Sequence, residues 1–271
     1  MTKVFVKESN ETVRIPLTFN GRVFQDAQLH TALYKCQIAG YDALFMPQII
    51  DTRLSSDKGS FIWQKEIWTP SICATGRTKS GRAVVVFAHV PNYFSNPENI
   101  EDAISQGLLD DAAPYPEKEF SKLLDMEDRE NVYVVEHYVL RNSVSGLVNI
   151  SRAINHPMMI PFIGGQERAE KYLDKHKSLV EKNTVGIWHK DDLHNCPYAR
   201  LLRIENHLLG DFDSDINMGF WGRFVGIPII GARKSFDMYA QAQISETFNL
   251  MRLEGLTDDY MKTLKVVKHR W

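Results

Sequence analysis

The sequence predicts an α+β fold in a single domain, 1–271, with an N-terminal antiparallel β-rich part and helices concentrated in the middle and C-terminal part. Three observations carry this expectation. Short apolar runs bounded by polar turns dominate the first ninety residues, helical spacing dominates afterwards, and the strict βαβ alternation of a doubly wound sheet is missing. A weak composition seam near 91–97 does not divide the chain.

The elements follow in order. Val4–Ser9 and Thr12–Phe19 read as short strands around a turn at Ser9-Asn10-Glu11. From Asp26 to Ala39, Ala27, His30, Leu33 and Ile38 recur at near-helical spacing, and Gly40 is a fitting stop. Phe61–Trp68, Thr69–Gly76 and Arg82–Val90 are strand-like, the last two joined by a hairpin with Gly81 where a left-handed residue is wanted. Asn96 can cap a helix with Pro97 at its first position, and Ile100, Ala103, Ile104 and Leu108 form its apolar stripe. A short helix near Pro116 carries Phe120, Leu123 and Leu124. Asn131–Leu140, rich in valine and aromatics, reads as a central strand, and a helix is expected over 145–154. Met158–Ile163 reads as extended, with Pro161 confining it to an edge. Gly164-Gly165 opens a helix over 166–180, with Ala169, Tyr172, Leu173, His176 and Val180 on one face and Glu167 placed to pair with Lys171. Thr184–Asp191 is a strand, Pro197–Leu209 a helix capped by Asn195, and Phe220–Ile230 a further strand. Two helices close the chain, from about Phe236 to Glu254 and from Thr257 onward.

The net charge of -2 disfavours a nucleic-acid partner, which calls for a basic face. Cys36, Cys73 and Cys196 are odd in number and far apart, which fits a reducing compartment better than a disulfide framework. With no cleavable leader and no apolar run of membrane-spanning length, a cytoplasmic location is expected. The aromatic content leaves homo-oligomerisation open.

Chemistry-bearing side chains concentrate between Gly186 and Gly219, which holds three of the nine histidines. His189 and Asp191, two apart at a strand end, share one face, as the first two ligands of a two-histidine-one-carboxylate site do; His207 and His269 suit the remaining position poorly. His189, Asp191 and His194, with Glu205 or His207, could instead converge on zinc, manganese or iron through a turn. Asp211, Asp213 and Asp215 alternate as calcium-loop oxygens do, but Ile216 and Gly222 stand where an EF-hand needs glycine and glutamate. No nucleotide-cofactor motif is present.

Two classes of function follow. In the first, the chain is an intracellular metal-dependent enzyme, a hydrolase acting on a small-molecule substrate. His189, Asp191, His194, His207, Asp211 and Asp215 would supply metal ligands, and Asp192 or Asp213 the general base. In the second, it is a non-catalytic binding or structural protein, and this polar segment is a solvated surface, a protein interface or a structural calcium site.

Overall fold

Two β-sheets organise the computed structural model, which describes residues 4–7, 12–15, 21–127, 131–180, 183–190, 192–206, 212–214, 218–219 and 221–229. The strands are β1 (Val4–Lys7), β2 (Thr12–Ile15), β3 (Arg22–Asp26), β4 (Tyr41–Ala43), β5 (Ile67–Arg77), β6 (Ala83–Ala88), β7 (Ala113–Pro114), β8 (Val132–Glu136), β9 (Gly146–Asn149), β10 (Thr184–Trp188), β11 (Tyr198–Ile204), β12 (Phe212–Asp213) and β13 (Gly222–Pro228). The helices are α1 (Leu29–Ile38), α2 (Met46–Leu54), α3 (Phe61–Gln64), α4 (Pro97–Gln106), α5 (Glu117–Leu124), α6 (His137–Arg141), α7 (Ile150–Ala153), α8 (Met159–Ile163) and α9 (Gln166–Val180). The chain divides into two compact units, Met1–Pro228 and Ile229–Trp271, and all of these elements belong to the first. The mixed α+β class expected from the sequence is the class observed.

The smaller sheet has the order β2-β1-β3-β13-β4; the larger runs β8-β6-β5-β11-β12-β10-β9, with β7 against β11. The larger sheet buries both faces. On β6, Val85 and Phe87 join one apolar cluster with α2, α8 and α9, while Val84, Val86 and Ala88 join a second with α1, α4 and α5. β5 divides likewise, Ile67 and Cys73 on one side and Trp68, Ile72 and Ala74 on the other. A strand covered on both faces has no solvent side to mark with polar residues, so it reads as a continuous apolar run.

The largest secondary-structure correction lies in this sheet. Tyr198–Ile204, expected inside a helix, is β11, paired with β5, β7 and β12 near the middle of the larger sheet. Its register against β5 shifts between Leu201 and Arg203, and the ordinary alternation of a strand packs Leu201 and Leu202 into opposite clusters. The expected central strand over 131–140 is shorter and lies at an edge: β8 pairs with β6, and the chain turns helical at His137. The helix expected over 145–154 begins as edge strand β9 and becomes α7 only at Ile150. Met159–Ile163 is helical, because Pro161 falls in the first turn, where its missing N–H has no partner to lose. Phe61–Gln64 is also a helical turn, with Phe61, Ile62 and Trp63 all buried.

Other expectations hold. Asn96 caps α4 by accepting from Glu98 N at 3.1 Å, and Lys171 pairs with Glu167 on α9 at 2.6 Å. Gly81 takes the left-handed turn of the β5–β6 hairpin at φ 83°. The two C-terminal helices expected after Phe236 lie outside the described residues. Arg53, fully buried, ties the α9 side of the core together. It donates to Ile62 O at 2.9 Å, to the Tyr172 hydroxyl at 2.8 Å and to Glu205 O, while its guanidinium stacks on Trp63.

Candidate functional site

β11 sends two arginines to two different polar clusters. Arg200 and Arg203 are both buried, but, an odd number of residues apart, they point to opposite faces of the sheet and so to different surroundings.

Arg200 reaches toward the chain surface. Leu109 and Ala112 exchange backbone hydrogen bonds at 2.9 Å, so Asp110 and Asp111 are the central pair of a two-residue turn. Both have positive φ, 49° and 69°, the pattern of a type I′ turn, and aspartate tolerates that region better than most residues. Two cations hold the turn. Arg200 Nη2 donates to Asp110 O at 2.6 Å and to Asp192 Oδ2 at 2.8 Å. Lys190 Nζ donates to Asp110 O at 2.9 Å and to Asp111 Oδ2 at 2.6 Å. His194 completes the group: its ring meets Tyr198 edge-on, with centroids 4.7 Å apart, and Nε2 lies 3.6 Å from Asp110 Oδ2.

One ligand atom each from Asp110, Asp192 and His194 lies within 4.8 Å of the other two. His194 Nε2 is shielded from solvent and has no hydrogen-bond partner among the described residues. Nearby, the Cys196 thiol bonds the Tyr198 hydroxyl and pushes its pKa up, while Cys196 itself is exposed.

Arg203 instead holds a cluster inside the fold. It donates to Asp213 Oδ2 at 2.7 Å and Glu66 Oε2 at 3.0 Å, pairs with Glu205, and lies over the Trp68 ring. Three carboxylates thus share one guanidinium. Burial, reinforced by the charges of Glu66 and Asp213, pushes Glu205 up to about 7 even though Arg203 pulls it down.

The residues singled out in the sequence therefore separate. Asp192 and His194 come together, joined by Asp110, which was not anticipated. His189 stands apart, beside Ser143 and Ser145, with the His156 ring 5.7 Å away. The Ser143 hydroxyl donates to Leu140 O at 2.6 Å, so His189 Nε2 donates to Ser143 Oγ at 3.1 Å. Asp213 belongs to the Arg203 cluster. Asp191, His207, Asp211 and Asp215 lie outside the described residues. Asp110, Asp111, Lys190, Arg200 and Glu66 were missed. An Asp-Asp pair between two short apolar runs was the available turn signal, hidden within the acid-rich stretch 101–130.

Both candidate general bases thus accept hydrogen bonds from arginines, Asp192 from Arg200 and Asp213 from Arg203. Asp110 sits on the α4–β7 connection and Asp192 on the β10–β11 connection, so these polar groups lie on loops rather than on the strands themselves. No family model matches the chain, and no curated protein matches it. A solved structure does, described by the words "Accommodation of massive sequence variation in Nanoarchaeota by the C-type lectin fold". The two are 42% identical, the alignment covers 78% of this chain and 98% of the other, and the TM-score is 0.74. This chain belongs to the same family of C-type lectin fold proteins. That relationship overturns the expected metal-dependent hydrolase and favours the binding class instead.

Among the described residues no helix is long and apolar enough to cross a membrane.

Proposed function

We propose that the chain is a non-catalytic binding protein, and that the surface formed by the Asp110-Asp111 turn and the loop 189–197 contacts its ligand. The observation that carries this reading is the 42% identity to a C-type lectin fold protein whose description concerns the accommodation of massive sequence variation. The placement of the polar residues supports it. Arg200 is anchored in the sheet, and what it holds, Asp110 and Asp192, lies on loops. Loop side chains on a buried scaffold can change without cost to the core.

A divalent cation belongs to this reading as a structural or ligand-bridging ion. Asp110, Asp192 and His194 are the residues that would hold it, and the imidazole nitrogen, which makes no hydrogen bond among the described residues, favours zinc over calcium, which prefers oxygen ligands throughout. Such an ion would have to displace Arg200 from Asp192 or share that carboxylate with it.

The test is a binding screen of the purified full chain against immobilised glycans and proteins, with and without zinc. Retained hits should be lost in the Asp192→Ala/His194→Ala double variant while its melting temperature stays near that of the wild type. Hits that bind the double variant equally well would overturn the assignment of this surface. Zinc titration by calorimetry separates the ion from the ligand. A stoichiometric heat abolished by His194→Ala supports the cation, and an unchanged heat removes it.

A further inference from the structure

Away from these loops, a cavity of about 290 Å³ opens beside the junction of α1, β4 and β13. Leu33, Phe45, Pro70, Pro91 and Ile227 give it apolar walls. Its volume is near the lower end for small-molecule sites, which pair apolar walls with a few fixed polar groups.

Most polar groups at its wall are already committed to the fold. Gln37 Nε2 donates to Ser95 O at 2.7 Å. Gln48 Oε1 accepts from Phe45 N at 2.8 Å, and Ser95 Oγ accepts from Asn92 N at 3.0 Å. Asp42 differs. Among the described residues it is the one charged residue lining the cavity, and it forms no ion pair there. Behind it, burial and then the Asp42 charge push the Cys36 thiol up to about 12, so Cys36 stays neutral and adds no charge of its own. Among the described residues the site thus combines an apolar trough with one carboxylate, and no lysine, arginine or histidine lines it.

We propose that this cavity binds a primary alkylammonium group, with its aliphatic chain against Leu33, Phe45 and Ile227 and its cation on Asp42. A free amine and a lysine side chain of a partner protein share that chemistry. The proposal is independent of the loop surface described above, so the failure of either leaves the other standing.

Hexylammonium is the probe, titrated into the full chain with methyl resonances followed by NMR, against hexan-1-ol as its neutral counterpart. Shifts should be confined to the methyls of Leu33, Leu44 and Ile227. Hexylammonium should bind more tightly than hexanol by about fivefold, the upper range for an exposed ion pair, and Asp42→Asn should remove that difference. Asp42 is exposed, so this variant should fold as the wild type does. Nα-acetyl-lysine amide distinguishes the sources: tighter binding than hexylammonium marks a protein partner, weaker binding a free amine. Equal binding of hexanol and hexylammonium, an undiminished preference in Asp42→Asn, or shifts centred elsewhere would overturn the proposal.

Discussion

Arg200 and Arg203 start three residues apart on one strand and meet different fates. Arg203 faces Glu66, Glu205 and Asp213, and its removal would leave two buried carboxylates, Glu205 and Asp213, without their cation. Arg200 is just as buried at its root, but its partners Asp192 and Asp110 are half-buried or exposed, so water can replace it. The same ion-pair chemistry is therefore structural in one place and replaceable in the other, and accessibility decides which.

The sharpest way to break this contrast is Arg203→Met. Leaving buried carboxylates unpaired should cost about 3–5 kcal/mol in urea denaturation at neutral pH. A loss below about 1 kcal/mol would mean that the cluster is hydrated.

The next effect is pH-dependent. Glu205 has its folded pKa raised to about 7, above the unfolded carboxylate value. The folded state therefore holds this proton more tightly than the unfolded chain does. The associated stability is complete below pH ~4.5 and is lost as pH rises through about 7, on the order of 3 kcal/mol. Glu205→Gln should flatten the melting temperature between pH 5 and 8. A wild-type profile that rises across this window would contradict the assignment.

Arg200→Met should cost less than Arg203→Met, about 1–2 kcal/mol, and should loosen the Asp110-Asp111 turn, read as faster amide exchange at Ala112. Asp192→Ala and His194→Ala should be the mildest, each within about 1 kcal/mol in thermal melts. If either unfolds the protein, the loop surface is part of the structural core and the contrast fails.

Where the sequence was legible, the local signals were unambiguous. Asn96 with Pro97 announced α4, Gly81 the β5–β6 turn, and the Glu167–Lys171 spacing the exposed face of α9. It misled where tertiary burial overrode pattern. Tyr-Ala-Arg-Leu-Leu-Arg-Ile offers arginines at helix-compatible spacing, yet each is drawn to a separate charge cluster and the leucines fill both faces of a sheet. Nothing local distinguishes that from a helix. The site was half legible for the same reason. Asp192 and His194 are near in sequence and were found, whereas Asp110 is about eighty residues away and arrives only through β7 and β11. Their class of function was not legible at all, since polar loops with histidine and aspartate serve catalysis and recognition alike.

The attachment of the Asp110-Asp111 turn carries one more consequence. Both Lys190 and Arg200 grasp the turn by the main-chain oxygen of Asp110, an atom every amino acid supplies. These two bonds are thus indifferent to the side chain at position 110, whereas the Lys190–Asp111 ion pair is not. Any residue that accepts a left-handed backbone, asparagine or glycine as readily as aspartate, can be exchanged there while the loop keeps its position. At position 110 the fold holds the turn by its backbone, so the side chain there can change without releasing it.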